Sequence, residues 1–164
     1  METKLEVATI KANTPPLGGL ELYWLLSRNQ LEFILQDITV IHSPLQIATA
    51  PYQEAMLPVI NLEKHFGLPE IGLRRSPKYL VIRATTTEKT LIKIIIETPQ
   101  AVKMQQLETG LAASRLMALP RNSIDLLGVY TMSDGSLGIV PDIAGINRSL
   151  QWRGGQLGSS EVRR

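Results

Sequence analysis

The sequence contains no cysteine, which rules out disulfide bonds and thiolate metal ligands from this chain. The composition is therefore compatible with a reducing compartment. No apolar run approaches the roughly 18 residues that a membrane-spanning helix requires. Residues 1–6 also lack the basic-then-apolar order of a secretion signal. From these absences we expect a cytoplasmic protein without membrane insertion.

Histidine occurs only twice, at His42 and His65, and neither has the spacing to a second ligand that a metal site requires. Ser43 follows His42 directly, but neighbouring side chains of an extended segment point apart, which argues against a nucleophile–base pair. The dipeptide at residues 18–19, Gly-Gly, lacks the Lys and Ser or Thr of a phosphate-binding loop. We expect no catalytic residue, no metal site and no cofactor, and we rank an enzyme last among the possible functions.

Charge is concentrated at one end of the chain. The formal net charge is +2, and residues 147–164 hold four arginines against one glutamate, so the first 146 residues carry a net charge of −1. Apolar periodicity is also absent from Ser149 onward, which predicts a flexible basic tail over 147–164 with Trp152 as its only large anchor. Elsewhere only Arg74, Arg75 and Lys78 form a small basic cluster, so a nucleic-acid-binding barrel is a weak alternative.

One stretch, residues 56–69, carries complete signals for a strand that runs into a short helix. The apolar and β-branched run from Leu57 to Ile60 is typical of a strand. Asn61 then offers a side-chain oxygen that can accept from the free backbone N–H groups of a following helical turn. The helix predicted over residues 62–66 should end at Gly67, which tolerates the left-handed conformation common after a helix.

Two parts of the chain repeat a similar order of elements. Residues 20–36 alternate like the two strands of a hairpin, with Leu22, Trp24 and Leu26 on one face, and residues 78–97 read as a second hairpin. A third hairpin is predicted over residues 124–140, where an Asp-Gly turn lies between two apolar runs.

Each repeat closes in the same way, with an apolar strand end, a capping residue and an apolar helix start. The two segments are Val59-Ile60-Asn61-Leu62 and Val140-Pro141-Asp142-Ile143. Residues 105–122 are harder to assign, because Gly110 and Pro120 limit any helix there.

Neither repeat has enough sheet to bury both of its faces. We therefore predict a mainly β protein made of two small antiparallel SH3-like β-barrels packed together, with short helices. The first barrel should span about residues 20–70 and the second about 78–146, after a flexible leader at 1–18. A single continuous sandwich is the alternative.

The order of these elements resembles the CheW-like domain family, the chemotaxis coupling proteins. Members have an apolar strand ending in Pro-Val-Ile-Asp-Leu, followed by a short helix and Gly-Leu, and this chain has Pro58-Val59-Ile60-Asn61-Leu62 and Gly67-Leu68. In the second half, Glu97 stands at the end of an apolar strand where the family has Val-Asp. The segments Leu127-Gly128-Val129 and Val140-Pro141-Asp142-Ile143 resemble the family's Ile-x-Gly-Val and closing Leu-Asp-Leu. The resemblance implies a CheW-like domain over residues 19–146.

Two departures concern the parts that the family links with receptor contact. Members carry Gly-x-Ile-Asn-Leu-Arg-Gly just before the Pro-Val-Ile-Asp-Leu strand, whereas this chain has only Tyr52-Gln53-Glu54-Ala55 between Pro51 and Met56. That hairpin is therefore missing or replaced. Val40 also stands where the family's Val-x-Glu-Val element has its glutamate.

The resemblance implies a noncatalytic adaptor or scaffold in chemotaxis-type signal transduction. Such a protein binds the regulatory domain of a CheA-type histidine kinase and joins it to a methyl-accepting chemoreceptor. The partner-binding candidates in this chain are Tyr52, Glu54, Met56, Leu57 and Phe66. Core packing is the alternative interpretation for Tyr52, Leu57 and Phe66. The alternative function is a repurposed CheW-like double barrel that no longer couples to a receptor.

Overall fold

The computed structural model describes residues 4–44, 46–72, 76–108 and 119–151. Two short helices, α1 (Leu62–His65) and α2 (residues 143–151), and single 3-10 turns at Arg28–Gln30 and Ser123–Asp125 accompany the strands. No helix in these ranges is long and apolar enough to cross a membrane. The strands in chain order are β1 (Lys4–Lys11), β2 (Leu22–Ser27), β3 (Leu31–Leu35), β4 (Ile41–Ser43), β5 (Gln46–Tyr52), β6 (Ala55–Ile60), β7 (Lys78–Thr85), β8 (Leu91–Thr98), β9 (Val102–Glu108), β10 (Leu126–Thr131) and β11 (Leu137–Pro141).

The strands form two sheets, so the protein is mainly β as predicted. One sheet has five strands in the order β10-β11-β2-β1-β9, and the other has six in the order β3-β7-β8-β6-β5-β4. Most pairs are antiparallel, but β11 pairs with β2 and β6 with β8 in parallel.

The first strand corrects the prediction of a flexible leader over residues 1–18. Within the described part of that range, β1 lies between β2 and β9 and pairs with both, and Ala8 and Ile10 are buried. The alternation of apolar and polar residues in Lys4–Lys11 breaks at Val7-Ala8, and Val7, Ala8, Thr9 and Ile10 are all buried, so this strand lacks the clear two-residue period that predicts strands elsewhere in the chain.

The predicted hairpin over residues 20–36 is also wrong, although both of its strands exist. β2 belongs to the five-stranded sheet and β3 pairs with β7 in the six-stranded sheet. The 3-10 turn at Arg28–Gln30 carries the chain from one sheet to the other, and the Gln30 side chain accepts a hydrogen bond from the Ser27 N–H at 3.1 Å. Each sheet consequently combines strands from both halves of the chain, which differs from a division at 20–70 and 78–146.

The other two hairpins are confirmed. β7 and β8 pair from Lys78 with Thr98 to Thr85 with Leu91, and β10 pairs with β11 around the turn at residues 133–136. The alternating pattern of β7 and β8 is long, and the pattern of β10 and β11 is bounded by a strong turn signal. Both features favour pairing between strands that follow each other in the chain.

The main core lies between the two sheets. Leu22, Trp24 and Leu26 of β2 face it, as their alternation predicts, and Ile94 and Ile96 of β8 approach it from the other sheet. Phe66, which follows α1, is completely buried and stacks on Trp24 with ring centroids 5.5 Å apart.

The opposite face of the six-stranded sheet covers a second, smaller core. Its buried members are Ala50, Leu57, Val59, Val81 and Ile95. The Tyr52 hydroxyl donates to Glu32 at 2.9 Å, although three strands separate β3 from β5 in the sheet order. Only a strongly curled sheet allows this contact, so the six-stranded sheet wraps part of the way around this core.

The strand-to-helix stretch is confirmed in detail. The Asn61 side chain accepts from the Lys64 N–H at 3.0 Å, and Gly67 has a φ of 73° just after the helix. α2 likewise begins after Asp142, the second predicted capping position.

The predicted tail from residue 147 is wrong for residues 147–151, which belong to α2, because Leu150 contacts the main core and is buried. Residues 152–164, with Trp152, lie outside the described residues, as do Arg74, Arg75 and the possible helix at 112–117. Residues 105–108 form the end of β9.

The Trp24–Phe66 contact gives a stability prediction. Phe66→Ala should lower the free energy of unfolding by about 3–5 kcal/mol, because it removes a fully buried ring and leaves a cavity. Phe33 is the other phenylalanine of the chain and is 56% exposed, so Phe33→Ala should cost less than about 1 kcal/mol. Urea unfolding of both variants at one protein concentration measures the difference. Equal losses would contradict the assigned role of Phe66 in the core.

Candidate functional site

A groove lies where one edge of the five-stranded sheet approaches the six-stranded sheet. It has a volume of about 340 Å³ and is lined by residues 83–85 of β7, Leu91 of β8, Leu127 of β10 and residues 142–144 at the start of α2. Leu91 is 58% exposed and Leu127 is 65% exposed. Two large apolar side chains therefore face solvent in the same groove, which is typical of a protein-binding surface rather than of scattered exposed residues.

A second hollow of about 390 Å³ adjoins the first. It is lined by the turn between β5 and β6 at residues 52–55, by Leu57, and by Leu91 and Lys93 of β8. Leu91 lines both hollows, and we call the two hollows together the Leu91 groove.

The segment between Pro51 and Met56, where the sequence departs from the family, forms a tight β5–β6 hairpin. Tyr52 pairs with Ala55 across a two-residue turn of Gln53 and Glu54. Gln53 has a φ of 54°, a left-handed conformation that costs a non-glycine residue about 1 kcal/mol. The short connection thus builds a tight, exposed turn at one end of the Leu91 groove.

A charged cluster fixes the wall beside this turn. Glu32 accepts from Lys93 Nζ at 3.0 Å and from the Tyr52 hydroxyl at 2.9 Å, and Lys93 lies 5.8 Å from the centroid of the Tyr52 ring. The bond from Lys93 outweighs the opposing effect of burial and lowers the pKa of Glu32, while the bond to Glu32 raises the pKa of Tyr52. Glu32 is therefore ionised and Tyr52 neutral at neutral pH, and Lys93 balances the charge of Glu32.

The five predicted partner-binding residues divide between the surface and the core. Tyr52, Glu54 and Leu57 line the Leu91 groove, although Leu57 is only 9% exposed. Met56 is 51% exposed but does not line the groove. Phe66 is buried in the main core, so the core interpretation is right for Phe66 and the contact prediction is wrong.

Leu91 and Leu127 were not predicted as site residues. Leu91 starts β8 on the same face as Lys93 and Ile95, and the alternating pattern gives it no sign of exposure. Alternation would place Leu127 on the same face of β10 as the buried Val129, but the strand pairing is irregular between Leu126 and Gly128, and Leu127 is exposed. Their proximity depends on how the two sheets pack, which no local pattern reveals.

The two histidines have different surroundings. His42 is exposed, whereas His65 is buried with its Nε2 2.8 Å from Asp125 Oδ2. Ser149 of α2 donates to the same carboxylate oxygen at 2.8 Å. Asp125 therefore joins α1, the second 3-10 turn and α2. This arrangement orients three elements and does not resemble a nucleophile–base pair.

A second buried acid lies on α1. Glu63 is 3% exposed and accepts a hydrogen bond from the Asn13 N–H at 2.6 Å. Burial raises the pKa of this carboxyl, and the bonds that favour the charged form oppose the shift only in part. The nearby Trp24 indole N–H also lowers the pKa of Glu63. Within the described part of the chain this N–H is buried and makes no hydrogen bond of good geometry.

Within the described ranges, no group of three or more His, Asp or Glu side chains is arranged to hold a metal ion. The Leu91 groove offers two exposed leucines, a polar wall and a tight turn. These features suit the binding of a polypeptide segment through apolar contacts.

No protein-family model matches the sequence, and no curated protein matches it either. The fold is nevertheless similar to a solved structure, that of the scaffolding protein TtCheW from Thermoanaerobacter tengcongensis. The two share 10% sequence identity over 87% of each chain, with a TM-score of 0.62. At this identity the similarity establishes a CheW-like fold.

The buried carboxyl of Glu63 predicts a pH dependence of stability. Because the pKa of Glu63 is raised above its usual 4.5 in the folded protein, its contribution is fully present below that value and is lost as the pH rises through the raised pKa. Glu63→Gln cannot ionise and keeps an oxygen for the Asn13 N–H. The variant should therefore gain stability relative to the unmodified protein as the pH rises from about 4.5 to 7.5. Urea unfolding of both proteins across this pH range measures the free energy of unfolding of the variant minus that of the unmodified protein. A difference that stays constant or falls as the pH rises would contradict the prediction.

Proposed function

We propose that this protein is a noncatalytic adaptor that acts by binding other proteins in chemotaxis-type signal transduction. The observation that carries the proposal is the Leu91 groove, with two exposed leucines on a CheW-like fold. The protein with the similar structure is described as a scaffolding protein. We extend that role to this chain because its most distinctive surface suits binding rather than chemistry.

The proposed partners are the regulatory domain of a CheA-type histidine kinase and a methyl-accepting chemoreceptor or a related signalling complex. This role places the protein in the cytoplasm. Leu91, Leu127 and Leu57 would provide the apolar contacts, and Tyr52 and Glu54 would set the polar edge of the site. Burial of two half-exposed leucines removes apolar area from water and contributes about 25 cal/mol per Å² before the costs of association.

The groove is prepared for such a contact before a partner arrives. Arg83 donates through Nε to the Asn29 carbonyl at 2.7 Å, and Lys93 is held by Glu32. Long cationic side chains that are already fixed lose less conformational freedom on binding than free ones. The partner therefore meets a surface whose polar rim needs little rearrangement.

A second candidate is a CheW-like binding protein that does not couple to a receptor. The observation that favours it is the β5–β6 turn, where Gln53 and Glu54 stand in place of the family's Asn-Leu-Arg-Gly hairpin. Without that arginine the turn presents a carboxylate, so a receptor segment suited to the family's hairpin would meet the opposite charge. Kinase binding without receptor binding would favour this candidate.

The proposal predicts the effect of one substitution in the groove. Leu127→Asp should weaken binding to the regulatory domain of the cognate CheA-type kinase by at least about tenfold, because it places a charge in an apolar contact. Isothermal titration calorimetry with and without a cognate receptor fragment measures this effect.

A matched control lies at the other end of the same sheet. Met104 of β9 is 45% exposed and is not part of the Leu91 groove, so Met104→Asp should leave the affinity unchanged. Equal losses in the two variants would contradict the assignment of the groove. No binding of the unmodified protein to either partner would contradict the adaptor role.

A further inference from the structure

A buried polar cluster joins α1 to other parts of the chain. Glu63 of α1 is 3% exposed, and its Oε1 accepts from the Asn13 N–H at 2.6 Å. Asn13 is also tied to Ile71, because its carbonyl accepts from the Ile71 N–H at 3.1 Å and its Nδ2 donates to the Ile71 carbonyl at 3.4 Å. One carboxyl therefore connects α1 to the segment between β1 and β2 and, through it, to the segment that follows α1.

The Trp24 indole of β2 belongs to the same cluster. Trp24 is 1% exposed, and within the described residues its Nε1–H is buried without a hydrogen bond of good geometry. This N–H nevertheless lies close enough to Glu63 to favour the charged form of the carboxyl. A buried donor without an acceptor is costly, and a carboxylate is a stronger acceptor than a neutral carboxyl. The indole N–H therefore gains more from the ionised form of Glu63 than from the neutral form.

The other groups around Glu63 determine when it ionises. The two N–H groups from the segment before β2 and from β2 favour the charged form and do not titrate. Glu70, which follows α1, brings a second negative charge and opposes ionisation. On α1 itself, Lys64 is exposed and His65 is bonded to Asp125. Burial is the largest effect and raises the pKa of Glu63 above 4.5, so the carboxyl changes its charge at a higher pH than an exposed glutamate does.

We propose that Glu63 is a pH-sensitive link between α1 and β2: ionisation of its carboxyl closes a charge-assisted hydrogen bond from the Trp24 indole N–H, and protonation opens it. The gained bond offsets only part of the cost of burying the charge. The ionised protein is therefore more tightly linked at this point and less stable overall. The inference goes beyond the adaptor role and does not depend on the identity of any partner.

The NMR signal of the Trp24 indole N–H tests the link directly. The chain has two tryptophans, so Trp152→Phe leaves Trp24 as the only source of an indole signal. In this variant the signal should move downfield in a single transition, with a midpoint above 4.5, as the pH rises to about 7.5. Adding Glu63→Gln, which cannot ionise, should remove the transition. A transition that persists with Glu63→Gln, or that is missing while Glu63 is present, would overturn the proposal.

The reverse measurement follows the acid instead of the indole. The NMR signal of the Glu63 carboxyl carbon gives the midpoint of ionisation in any variant. Trp24→Phe removes the donor and keeps an aromatic ring in the core, so the midpoint should rise by roughly one pH unit. Glu70→Gln should lower the midpoint slightly, because it removes a nearby negative charge. An unchanged midpoint in Trp24→Phe would mean that the indole does not bond to the carboxylate, which contradicts the proposal.

Titration of Glu63 itself is the final requirement. A carboxyl carbon signal that does not change between pH 4.5 and about 7.5 would exclude a switch in this range. Circular dichroism of each variant across the same range confirms that a change in either signal is not a loss of fold.

Discussion

The stack of Phe66 on Trp24 joins the strand-to-helix stretch to the five-stranded sheet, and the polar contacts around it make α1 the centre of the molecule. α1 is only four residues long, yet Glu63 accepts from the Asn13 backbone and His65 contacts Asp125. The Phe66 carbonyl also accepts from the Arg121 N–H at 3.0 Å. These contacts reach segments from both ends of the chain. A helix this short is unstable alone, so the packing and the buried bonds determine its position, and α1 in turn aligns the two sheets.

The local elements could be predicted from sequence to a large extent, whereas their pairing could not. The Asn61 cap, the Gly67 helix end and the β7–β8 hairpin rest on residues close together in the chain, and the structure has all three. β2 and β3 show why this approach is limited. Both alternate as strands, but a three-residue 3-10 turn sends them to different sheets. A period of two residues indicates a strand and gives no information about its neighbour.

The candidate site shows the same division between local and nonlocal information. Residues 52–57 were predicted to bind a partner because this segment departs from the family's hairpin. Three of the five predicted residues, Tyr52, Glu54 and Leu57, line the Leu91 groove. Leu91 and Leu127 complete the groove from strands on separate sheets. The exposure of Leu127 follows from the irregular pairing of β10 between Leu126 and Gly128, which the sequence pattern does not reveal. For Phe66 the sequence left a partner contact and core packing open, and the stacking of its buried ring on Trp24 favours the core.

β1 lies in the interior of its sheet, between β2 and β9, and this position has a consequence for folding during synthesis. Lys4 pairs with Glu108, and β2 pairs in parallel with β11, so β1 and β2 each have a neighbour in the second half of the chain. Neither sheet can be completed by the first half of the chain. During translation the apolar faces of β1 and β2 therefore stay exposed until their partner strands have been synthesised. This exposure favours slow folding and the binding of chaperones to the nascent chain.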